Sequence, residues 1–138
     1  MADAVTSQTL IDGDLYAVMK FTNISDGSGE SAVTKVDVSA LQPLGSNTAS
    51  QKTCTGVVIE RIWWQCIGMK VQILWDASSD AFCIELGENQ SGNHDYSLFG
   101  GLTNNAGSGK TGDINFTTVG HTSADTYTII LYMRKEYA

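Results

Sequence analysis

"VVIERIWWQCIGMKVQILWD", residues 57–76, is the stretch on which the reading of the fold turns. Two runs rich in β-branched and aromatic residues, Gly56–Cys66 and Met69–Asp76, flank the single glycine Gly68. That arrangement predicts two antiparallel strands joined as a hairpin. Trp63 and Trp64 are adjacent, and neighbours on a strand point to opposite faces, so the two indoles do not share one core. One of them is expected against a covering loop or at a subunit interface, where tryptophan is enriched.

The same signature recurs along the chain: short apolar or alternating segments bounded by Gly, Asn, Asp or Ser. Besides the central pair, strands are expected at Ser7–Ile11, Leu15–Ile24, Val33–Ser39, Ala81–Leu86, Asp113–Val119 and Asp125–Lys135, with a weak one near Asp95–Leu98. In the second of these, Leu15, Ala17, Met19, Phe21 and Asn23 form the more apolar face. The last carries large apolar groups on both faces, Tyr127, Ile129, Leu131 and Met133 against Thr128, Ile130, Tyr132 and Arg134. Such a strand sits centrally in a sheet or lines a subunit contact. Between the strands, apolar residues do not recur at the spacing of three and four that a crossover helix needs, which argues against a parallel βαβ architecture. The chain of 138 residues is long enough for one core, and 14 glycines with a single proline suit many tight turns. The expected fold is all-β: a single-domain antiparallel β-sandwich, jelly-roll or Greek-key-like, over residues 10–138, preceded by an extended arm at residues 1–9. Ser25–Ser31, Leu41–Thr53 and Phe99–Gly112 read as loops, the last two long for a compact domain.

Charge narrows the partners. Fifteen acidic against eight basic residues leave a formal net charge of −7, and no cluster of Lys or Arg is interleaved with aromatics, so nucleic acid is disfavoured. No segment approaches a membrane span, and the start "MADAVTSQTL" has neither the basic residues nor the apolar run of a secretion signal, pointing to folding in the cytoplasm. Cys54, Cys66 and Cys83 are an odd set without a C-x-x-C pair and read as reduced thiols, not as a disulfide framework or a zinc site.

The chemical motifs are weak. Gly-Ser-Gly-Lys-Thr (residues 107–111) ends like a P-loop, but the first glycine of that motif would fall at Asn104, and the following "DINFTTVG" alternates as a strand. No anion-binding helix terminus is therefore expected. Neither His94, beside Asp95, nor His121, in a turn, is set to meet a nucleophile. Asp26, Ser28 and Glu30 have the alternate spacing of a calcium loop without its glycine at position six or its distal glutamate. The Asn-x-Ser/Thr matches at Asn23, Asn89 and Asn115 carry no weight without secretion. No catalytic residue, metal ligand or cofactor is assigned.

Five segments resemble small structural proteins of tailed-bacteriophage virions, many from phages of cyanobacteria: "VTSQTLIDGD" (5–14), "VMKFTNISDGSGESAVTKVDVSAL" (18–41), "MKVQILWDA" (69–77), "FGGLTNNAG" (99–107) and "TGDINFTTVGHTSADTYTIILYMRK" (111–135). The resemblance implies a β-rich, non-enzymatic building block of the virion, made in the cytoplasm of a bacterial host. With an acidic surface, it suits a decoration or cement protein bound to the major capsid protein outside the head, self-associating as a homo-oligomer, a trimer among the forms considered. Neck, tail or fibre components are the alternative, and a carbohydrate- or host-surface-binding sandwich a more distant one. Contacts are expected from Val5 and Gln8 of the arm, Trp63 and Trp64, Phe99 and Leu102 of the last loop, and Tyr132 of the final strand.

Overall fold

The computed structural model describes residues 3–45, 49 and 51–137. Among them there are nine strands and no α-helix: β1 (Ala4–Asp12), β2 (Tyr16–Ile24), β3 (Val33–Val36), β4 (Cys54–Ile67), β5 (Lys70–Trp75), β6 (Ala81–Leu86), β7 (Gln90–Asp95), β8 (Ile114–Val119) and β9 (Thr126–Tyr137). They form two antiparallel sheets, ordered β1-β2-β9-β4-β7 and β3-β8-β5-β6. The pairs β2–β9, β3–β8, β4–β7 and β5–β6 are nested one inside another and alternate between the sheets. This is the winding of a jelly roll, with β1 added at one edge.

The alternation seen in the sequence becomes the core. Ala17, Met19 and Phe21 of β2 and Tyr127, Ile129, Leu131 and Met133 of β9 are buried, and β9 is central in its sheet. From the opposing sheet come Val71, Ile73 and Trp75 of β5 with Ile114 and Phe116 of β8. The Phe116 ring meets Phe21 edge-on at 5.2 Å and Tyr127 at 5.9 Å, stitching the layers where β8 crosses β2 and β9.

The nested winding corrects three expectations. β4 and β5 are not a hairpin: they lie in different sheets, and the chain crosses the sandwich at Gly68–Met69. Gly68 has φ +79°, and a side chain there would strike the Asp125 carboxylate; Met69 is fully buried, whereas the tip of a hairpin faces water. The hairpin in this region is β5–β6, through a turn in which Ala77 N–H donates to Asp80 Oδ1 at 3.1 Å. Second, the strand near Asp95–Leu98 is instead Gln90–Asp95, followed by a 3₁₀ turn at Ser97–Phe99 whose start is held by Asp95 Oδ1. Third, residues 4–9 are not a separate arm. They belong to β1, which runs continuously to Asp12 along β2, so the expected boundary between residues 9 and 10 falls inside a strand. Val5, Thr6 and Thr9 favour strand geometry, and pairing with the open edge of β2 satisfies main-chain groups that a free arm would leave to water.

The third expected loop is tied down rather than free. Leu102 bridges to Ile59, Ser78 N–H donates to Ser108 O at 3.2 Å, and Thr111 donates through its amide to Asp76 O at 3.1 Å and its hydroxyl to Asp76 Oδ2 at 2.7 Å. The Gly-Ser-Gly-Lys-Thr stretch is thus stitched to the β5–β6 turn, and strand β8 follows it as expected. In the second expected loop, Leu44 and Lys52 form an isolated bridge; residues 46–48 and 50 lie outside the described residues.

Candidate interaction surface

The opposing sheet lies against one face of the five-stranded sheet; the other face is open. The pairing registers order its side chains into rows across the strands. One row reads Gln8, Lys20, Ile130, Trp63 and Asn93, and the next Ile11, Val18, Tyr132, Arg61 and Asp95. Where the rows adjoin, Ile11, Tyr132, Ile130 and Trp63 form an apolar stripe in which Ile11 is 54 % and Trp63 37 % exposed, while Val18 between Ile11 and Tyr132 is buried. Arg61 stacks 5.4 Å over the Tyr132 ring and donates from Nε to Asn93 Oδ1 at 2.7 Å. Arg134 pairs with Glu60 at 3.1 Å, whereas Lys20 has no hydrogen-bond or ion-pair partner among the described residues.

A one-residue irregularity at Glu60 decides which tryptophan belongs to this face. Ile59 opposes Met133 and Arg61 opposes Tyr132, so Glu60 is an extra residue and the inward set shifts from Val57 and Ile59 to Ile62, Trp64 and Cys66. Trp64 is therefore core, 6 % exposed, and lies across Gly92 of β7, where a Cβ would come within 2.9 Å of its Nε1. Trp63 faces out.

Of the expected contact residues, Gln8, Trp63 and Tyr132 are brought together on this open face. Val5 is exposed on the other side of β1, beyond the reach of the four-stranded sheet. Phe99, 68 % exposed, stands on the 3₁₀ turn that follows Asp95, with its ring 6.2 Å from Tyr96. Leu102 is half-buried against the core through its bridge to Ile59, and Trp64 is interior.

A buried polar cluster escaped the sequence reading. Glu30 Oε1 accepts from Tyr127 Oη at 2.6 Å and Asn23 Nδ2 at 3.0 Å, and Lys35 Nζ lies 2.5 Å from its Oε2. Burial and the neighbouring Glu30 push the Tyr127 phenol far above its ordinary range. At the other end of the core, buried Lys135 meets Asp12 and donates to Gln42 O at 3.0 Å. Glu30 is thus neutralised by an ammonium group, and Asp26 Oδ1 is taken by Ser28, so the calcium-like spacing of Asp26, Ser28 and Glu30 is a turn and a core ion pair. Among the described residues no three His, Cys, Asp or Glu gather as metal ligands.

The thiols are all free. Cys54 and Cys66 are buried and Cys83 half-buried; burial pushes Cys66 and Cys83 up to about 12, which keeps them protonated and unreactive at neutral pH. His121 Nδ1 lies 3.2 Å from Thr118 Oγ1, and His94 is an exposed neighbour of Tyr96. No protein-family model matches the chain, and no curated protein matches it.

Proposed function

We propose that the chain is a non-enzymatic structural protein of a tailed-bacteriophage virion, a decoration or cement protein that docks on the outside of the head through the open face of its five-stranded sheet. The observation that carries the reading is the stripe of Ile11, Ile130, Tyr132 and Trp63, flanked by the unpaired Lys20, on the outward face of the five-stranded sheet. An aromatic anchor beside a stacked arginine is the composition of an interface centre. A net charge of −7 suits the exterior of a shell better than the surface facing packaged DNA. Jelly rolls serve capsids and lectins alike, so the fold permits this reading without choosing it.

The mechanism is linkage. A protein that binds only the assembled lattice of major capsid protein adds its binding free energy to the assembled state and so raises the shell's resistance to internal pressure. The test is to titrate purified protein onto heads that lack it. Saturable binding at on the order of hundreds of copies per head, with DNA release shifted to higher temperature, is the expected result for a lattice-bound protein. A dozen or fewer copies per particle would move the protein to the neck or a fibre, and no binding would overturn the reading.

A further inference from the structure

We propose that β1 is a pairing edge for a second copy of this chain, the two β1 strands running antiparallel across a two-fold axis and joining two five-stranded sheets into one. The inference does not rest on the virion reading.

The strand poses a physical problem. It is nine residues long, and every side chain from Ala4 to Ile11 is exposed, so it adds nothing to the core. Ordering a residue's backbone costs roughly 1–2 kcal/mol, and no apolar burial offsets that here. Two carboxylates hold it instead. At one end, Asp3 accepts from Asn23 Nδ2 at 3.0 Å and from the amides of Asp26 at 3.1 Å and Gly29 at 3.3 Å. At the other, Asp12 binds Lys135 and accepts from the Gln42 amide at 3.0 Å. Burial pushes the Asp3 carboxyl up, but these hydrogen bonds outweigh it and hold its pKa down at about 2.

A strand clasped at both ends and paired on one side presents its other side as a row of unpaired N–H and C=O groups. The other edges are guarded: β3 has four residues including Lys35, β6 carries Glu85, and β7 ends on Asp95. β1 has no lysine, no proline and no charge from Ala4 to Ile11. Its one guard is an irregularity at Leu10, which leaves Ala4–Thr9 regular.

Unpaired main-chain groups call for an extended strand, and charge selects which. Two copies of a chain with net charge −7 repel over most of their surfaces, but residues 4–11 are neutral. Val5, Ser7 and Thr9 lie on one side of β1, and Thr6 and Gln8 on the other. An axis at Ser7 therefore sets Val5 against Thr9 and Thr6 against Gln8 on matching faces, within the regular part of the strand and with no charge opposed to a like charge. The contact is isologous and closes as a dimer, in place of a trimer.

Sedimentation equilibrium of the full chain tests this. The wild type is expected to dimerise with a dissociation constant on the order of 10 µM, as suits so small an interface. Ser7→Lys and Ser7→Glu, at an exposed position, should each weaken association at least tenfold with unchanged melting temperature, and an equimolar mixture of the two should restore it. Ser7→Cys should form oxidised dimers that the wild type, with its own three cysteines, does not form under the same oxidant. A wild type monomeric to about 1 mM, a Ser7→Lys chain that dimerises like the wild type, or a mixture that does not recover would overturn the proposal and leave the edge to another protein's strand.

Discussion

The outward faces of the two sheets are built on opposite plans. On the four-stranded sheet polar groups satisfy one another: Asn115 accepts from Thr34 Oγ1 at 2.9 Å and donates to Asp76 at 2.9 Å and Asp80 at 3.0 Å, while Glu85 accepts from Gln72 at 3.1 Å and pairs with Lys70 at 3.2 Å. Asn115 is 3 % exposed although no layer covers it, because its own hydrogen-bond partners do. On the five-stranded sheet, Trp63, Gln8, Gln65 and Lys20 have no side-chain hydrogen bond among the described residues, and Ile130 lies between Lys20 and Trp63. The first face holds its polar groups in mutual bonds and exposes Phe82 in the row of Asn115; the second has internal bonds at Arg61–Asn93 and Arg134–Glu60 but leaves those four side chains without one. Substitutions on the first are therefore expected to lower stability, and on the second to lower association.

The sharpest contrast should come from Asn115→Ala. It leaves Asp76 and Asp80 without their shared donor and is expected to cost about 2–3 kcal/mol in denaturant unfolding, with binding to heads unchanged where the protein is still folded. A loss below about 0.5 kcal/mol would mean that water replaces the amide and that this face is no more closed than the other. Trp63→Ser should do the reverse: occupancy on heads falls at least tenfold, while the melting temperature moves by only a few degrees. Equal losses of stability from both variants would erase the distinction between the faces. The mildest effect concerns acid. Hydrogen bonds from Thr111 and Asn115 hold the Asp76 carboxyl below its ordinary value, so the stability it contributes is complete above the ordinary carboxylate range and fades as pH falls through and below it. Asp76→Asn should flatten the fall of melting temperature between about pH 4 and pH 2, and a slope identical to wild type would show that this network does not titrate with folding.

Much of the architecture was legible from residue order because it rests on local alternation. Ala81–Leu86 was placed to the residue, and β2, β4, β5, β8 and β9 to within a few positions. β7 was not, since "QSGNHD" contains no apolar residue; its strand character comes from pairing with β4. Most of the stretch expected as a weak strand, Asp95–Leu98, belongs instead to a turn that leaves Leu98 93 % exposed. The Glu30 cluster had no signature at all: Asn23, Glu30, Lys35 and Tyr127 come from distant parts of the chain, and each alone reads as an ordinary surface or strand residue. For the interaction surface, the sequence marked Trp63 and Trp64 as a pair facing opposite ways but gave no sign of which faces out.

Residue order alone settled that this is an antiparallel β protein with one core, because a period of two and turn residues act over a few positions. It left strand partners open, since a crossing between sheets and a hairpin both follow two apolar runs and a glycine. Gly68–Met69 proved to be the crossing. It also left the two faces interchangeable, because a shift of one residue inverts a period-two pattern without changing it. The extra residue at Glu60 made that choice, sending Trp64 into the core and Trp63 to the surface, and it exists only in the pairing of β4 with β9.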